Sequence, residues 1–133
     1  MSSSRFQDTV RTIIDANYDL KVASPEFCIS LLAYPTERTF TKLYRKIQTR
    51  DRRWIRDFIR ADGLYAIIIA IEDIFRRKNS SLMNSILLLK CINCIKELMN
   101  SICGMQAVIN LASEKKDCIQ TLAKSKLFLL CRL

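Results

Sequence analysis

Apolar residues recur along this chain at the three- and four-residue spacing of helices, interrupted by short polar corners. Phe6, Val10, Ile13 and Ile14 predict a first helix over about residues 4–17. Ser24-Pro25-Glu26 reads as a helix entry, with serine as cap, proline in the first turn and an acid near the positive end of the dipole. Pro35 closes that short helix after Leu31 and Leu32. A third helix near residues 37–48 places Phe40, Leu43, Tyr44 and Ile47 on one side and Arg38, Lys42, Arg45 and Lys46 on another. Asp51 caps a fourth, whose Trp54, Ile55, Phe58 and Ile59 face inward while Arg52, Arg56 and Arg60 form an outward row.

A mostly apolar helix follows from Leu64 to about Arg77, where three basic residues suit its negative end. Asn79-Ser80-Ser81 forms a polar corner, and a long helix over about residues 82–101 carries Ile86-Leu87-Leu88-Leu89, a run that predicts burial between neighbours. Met105, Val108, Ile109 and Leu111 mark another short helix, and Cys118, Ile119, Leu122 and Phe128 a last one. The chain has only two glycines, Gly63 and Gly104, each between apolar runs, and both are expected as left-handed closures of helices. The pattern is all-α, a stack of helices with the logic of an interrupted α-solenoid, although no clean repeat is visible.

Composition narrows the chemistry. At 133 residues, half of them hydrophobic, the chain is long enough for one folded domain with a genuine core. Its longest apolar stretch, Gly63 to Ile71, is too short for a transmembrane segment, and Met1-Ser2-Ser3-Ser4 lacks a signal-peptide profile, so a soluble cytoplasmic protein is expected. The six cysteines lie mostly inside helical patterns and read as reduced core residues. Cys91-Ile92-Asn93-Cys94 has metal-like spacing, but there is no histidine and no second such pair to complete a zinc site. The same lack of histidine removes the usual catalytic triads, the acids are scattered, and the absence of clustered glycines disfavours a bound nucleotide. No enzyme and no cofactor are expected.

Charge gives the second signal. The formal net charge is +9, and from Arg38 to Arg60 nine basic residues face only Asp51 and Asp57. A patch of this kind favours an acidic partner: a protein surface, anionic lipid or nucleic acid. Charge alone leaves the three open.

Several separated motifs occur in a familiar order: Ser24-Pro25-Glu26-x-Cys28-Ile29-x-Leu31-Leu32-x-x-Pro35, Leu43-x-x-x-Ile47, Trp54-x-x-x-Phe58-x-x-x-x-Gly63-Leu64, and Cys94-Ile95-x-x-Leu98-Met99-Asn100-Ser101-x-x-Gly104-Met105. Over roughly residues 22–112 the chain resembles the N-terminal regulatory region of diaphanous-related formins, with inverted formin as the nearest subgroup. The resemblance implies an N-terminal extension over 1–21, a helical GTPase-binding subdomain over 22–62, and the first armadillo repeat with part of a second over 63–133. It further implies a cytoplasmic, cytoskeleton-associated module. Its partners would be a Rho-family GTPase and the formin's own C-terminal autoregulatory helix, and it would reach actin only through a full-length formin. Asn100 matches the asparagine of the family's Leu-Met-Asn motif and is a candidate for the recognition surface. Arg38, Lys42, Arg45, Lys46, Arg52 and Arg56 join it on the ground of charge. The family's inhibitory region continues through further repeats, so a truncated fragment without function, self-association through exposed apolar helices, and a basic module for nucleic acid or anionic lipid stand as alternatives.

Overall fold

In a computed structural model of the chain, the described residues are 24–77 and 81–117, together with 120, 121, 123 and 124. The helix expected over 4–17 lies outside them, as does most of the one expected from Cys118 to Phe128. The described residues form six α-helices and no strand: α1 (Pro25–Leu31), α2 (Glu37–Gln48), α3 (Arg52–Arg60), α4 (Gly63–Arg76), α5 (Leu82–Leu98) and α6 (Ile102–Glu114).

Short polar residues start five of the six. Ser24, Thr36, Asp51, Ser81 and Ser101 each accept a backbone N–H three residues ahead, which satisfies one of the donors that a helix start leaves unpaired. The sixth, α4, begins after Asp62, whose side chain makes no capping bond.

One apolar core draws its buried side chains from the first five helices, and Ala107, Val108 and Leu111 of α6 pack against it half-buried. Cys28 and Leu31 of α1, Phe40, Leu43 and Ile47 of α2, Phe58 of α3, Ile67, Ile68 and Ile71 of α4, and Leu88, Cys91, Cys94 and Leu98 of α5 are buried together. Trp54 stacks on Phe58 with centroids 5.1 Å apart, and both are buried, so these aromatics anchor the core. The most extensive helix pairing is α2 on α5. It is reinforced at its rim, where Lys90 Nζ donates to Thr41 Oγ1 at 2.8 Å and lies 3.8 Å from Glu37 Oε1. The Ile86–Leu89 run is buried on one side only: Leu87 and Leu88 are interior, whereas Leu89 is 45 % exposed. Four consecutive residues sweep most of a helix's circumference, and α5 has partners over only part of it.

The glycines play a different part from the one expected. Neither has positive φ. The left-handed residue at the end of the tryptophan helix is Asp62, at φ 65°, and Gly63 is already the first residue of α4. A Cβ on Gly63 would collide with the Phe58 ring, and one on Gly104 with the Leu98 carbonyl oxygen. Close approach of neighbouring segments, rather than left-handed backbone, demands glycine at both positions.

Candidate partner-binding site

α6 packs against α3. Gly104 is its only fully buried residue, so the pair closes loosely and leaves a groove of about 1170 Å³. Ile55, Ile59, Leu64 and Leu111 give the groove an apolar lining. Arg50, Arg52 and Arg56 come from the α2–α3 corner and α3, and Asn100, Gln106 and Asn110 from the α5–α6 corner and α6. Gln106 Nε2 donates to Asn110 Oδ1 at 2.9 Å, which orders the two amides as a pair. Asp62, Glu97 and Glu114 are the acids that reach the groove.

Local chemistry explains why these residues converge. With Trp54, Ile55 and Phe58 buried, the 100° step per residue turns Arg52 and Arg56 to the flank of α3 shared with the groove. Asn100 follows the last turn of α5, where its N–H donates to the Glu97 carbonyl at 3.2 Å and its exposed side chain reaches the groove. Ser101 then fixes the corner: its hydroxyl donates to the Leu98 carbonyl at 2.8 Å and accepts the Gly104 N–H at 2.9 Å.

Of the residues selected from the sequence, Arg52, Arg56 and Asn100 are thus brought to one groove. Arg38, Lys42, Arg45 and Lys46 are on α2 and do not line it. Lys46 is engaged elsewhere, with its ammonium 5.4 Å from the centre of the Trp54 ring. Arg50, Asp62, Gln106 and Asn110 were not selected. Ser101 itself is a cap signal that would have started α6 at Ile102 and put Gln106 and Asn110 on one side, four residues apart.

The thiols fit the core reading. Cys28, Cys91 and Cys94 are free and buried, and Cys103, partly buried, lines the groove. Burial pushes the Cys28 thiol up to about 11 and the Cys94 thiol up to about 12, and Cys91 is also displaced upward by burial. Such thiols are inert at neutral pH. Among the described residues no cluster of candidate ligands could hold a metal ion.

The profile of the diaphanous GTPase-binding domain matches residues 6–127. The chain belongs to that family. As a diaphanous GTPase-binding domain it is an all-α regulatory binding module of the formin type. Inverted formin-2 from Xenopus laevis is 32% identical over 92 residues, and inverted formin-2 from Xenopus tropicalis 30% identical over 92 residues. Each alignment covers 69% of this chain but only 8% and 7% of the respective relative, so the chain spans less than a tenth of their length. No solved structure matches it. No helix among the described residues is long and apolar enough to cross a membrane.

Proposed function

We propose that this domain binds a GTP-loaded Rho-family GTPase in the groove between α3 and α6. Arg52, Arg56 and Asn100 make contact there, and Arg38, Lys42, Arg45 and Lys46 steer an acidic partner surface toward it. The observation that carries this reading is the convergence of a basic helix edge and an amide-bearing wall on one apolar-lined groove, in a chain of the diaphanous GTPase-binding family. Surface arginines raise the rate of encounter with an acidic partner, while the apolar lining and amides hold it once docked. A formin's C-terminal autoregulatory helix is the second partner. Its competition with the GTPase would link the module to actin cytoskeleton organisation through a full-length formin. In this reading residues 22–62 form the GTPase-binding subdomain, residues 63–133 begin an armadillo-type solenoid, and the setting is cytoplasmic and cytoskeleton-associated.

Pull-down with equal amounts of Rho proteins loaded with GTP analogue or GDP tests the proposal. Retention of at least one GTP-loaded member over its GDP form is expected. Equal retention of both forms across the whole panel sinks it. Binding to nucleic acid or anionic vesicles instead, falling steeply with salt and indifferent to any GTPase, would identify the basic surface as a polyanion site.

A further inference from the structure

Two non-glycine residues among those described have left-handed backbone, Arg50 at φ 56° and Asp62 at φ 65°. Both line the same groove. The arginine side chain is not required by its corner. Glycine or asparagine adopts this backbone more cheaply than arginine does, and the corner at Arg50 asks only for the backbone N–H, which donates to the Ile47 carbonyl at 3.1 Å. Asp62 occupies the capping position of α4, yet its carboxylate caps nothing. Aspartate enters left-handed backbone more readily than arginine and an acid suits the start of α4, so the strain is sharpest at Arg50. Strained backbone persists where something else requires the residue, and the feature the two corners share is the groove.

The two lie beyond opposite ends of α3, whose nine residues span about 13 Å. Arg52 and Arg56 adjoin Arg50 along one side. At the other end Asp62 is joined by Glu114: Lys115, the next residue, lies 3.8 Å above the Tyr65 ring, which brings the end of α6 beside the start of α4. Glu97 lies by the α5–α6 corner, at the opposite end of α6 from Glu114, and the Lys115 ammonium stands beside Glu114. Arginines nonetheless predominate toward the α2–α3 corner, and Asp62 and Glu114 supply the acids toward the α3–α4 corner.

We infer that Arg50 and Asp62 are specificity-determining residues that fix the direction in which a GTPase segment lies in the groove, with its acidic end at Arg50 and a basic group at Asp62. This rests on the reading of the groove as the GTPase site. Left-handed backbone at each corner sets the direction in which the side chain leaves the chain, and a segment lying the other way brings like charges together at Arg50 and at Asp62.

The test measures affinity for a GTP-analogue-loaded Rho protein, by titration, alongside thermal unfolding, for the whole chain and for Arg50→Gly, Asp62→Gly and Arg50→Lys. Glycine relieves the backbone, so Arg50→Gly is expected to unfold at the same temperature or about 2–4 °C higher. Each glycine variant should nonetheless bind about five- to tenfold more weakly, while Arg50→Lys stays within about twofold of the parent. Unchanged affinity in either glycine variant overturns the inference and leaves the GTPase reading intact. A lower unfolding temperature for Arg50→Gly also overturns it, since Arg50 would then be held by the fold. If the parent chain binds no GTP-loaded Rho protein, both proposals fall together.

Discussion

Single atoms decide two positions in this fold. Gly104 stands in the first turn of α6, where the helix crosses the end of α5, and a methyl group there would meet the backbone oxygen of Leu98. A backbone carbonyl cannot rotate away as a side chain can, so Gly104→Ala is expected to lower stability by about 2–3 kcal/mol. The urea midpoint at unchanged slope measures it. Gly63 meets the Phe58 ring, itself fully buried and stacked on Trp54, so the same change there displaces part of the core. Ser85 is the opposite case. Its hydroxyl is buried in α5 without a hydrogen-bond partner among the described residues, and Ser85→Ala removes a stranded polar group at little change in volume. That variant should gain about 1 kcal/mol, read from the same urea curves.

At the scale of elements, α6 is the weakly held wall of the groove. It packs on α3 and touches α5 lightly, and Ile102 at its start is 92 % exposed. Its position depends on the Ser101 hydroxyl, which bonds the last carbonyl of α5 and the third residue of α6 together. Ser101→Ala should cost about 1–2 kcal/mol in α6, seen as faster amide exchange confined to residues 102–114, and should weaken partner binding without unfolding the rest. The helices themselves were legible in the sequence because caps and apolar spacing agree: Ser24 and Asp51 start α1 and α3 where the pattern begins. The groove was legible only in part. Arg52, Arg56 and Asn100 announced themselves by charge and motif, but which flank of α3 faces α6 is set by tertiary packing. Arg50 and Asp62 were hidden for another reason. Sequence spacing carries no sign of φ, and glycine, the usual mark of a left-handed corner, is used here for close approach instead.

At the scale of the whole molecule, the core does not divide where the proposed roles do. Cys28 belongs to α1, in the segment assigned to GTPase binding, and Cys91 and Cys94 to α5, in the segment assigned to the solenoid, yet all three are buried in one cluster. Cys94 Sγ lies 3.6 Å from the Phe40 carbonyl oxygen, directly across the α2–α5 contact. If the two segments unfold together, these thiols become reactive together. With Cys118 and Cys131 replaced by serine, iodoacetamide should modify Cys103 rapidly and Cys28, Cys91 and Cys94 slowly at one shared rate, which mass spectrometry of the labelled chain resolves. Earlier labelling of Cys28 alone would show that the first three helices open by themselves. The same thiols set a pH dependence of known sign. Cys28 is raised from 9.0 to about 11 in the folded chain, so the unfolded chain loses this proton first as pH rises. Its contribution is intact below pH 9, diminishes from there and is lost by about pH 11. Cys91 and Cys94 are displaced in the same direction, so wild-type stability should fall more steeply above pH 9 than that of a Cys91→Ala/Cys94→Ala chain. Parallel urea curves at successive pH values measure the difference, and equal slopes for the two chains would show that these thiols are not what the native core protects.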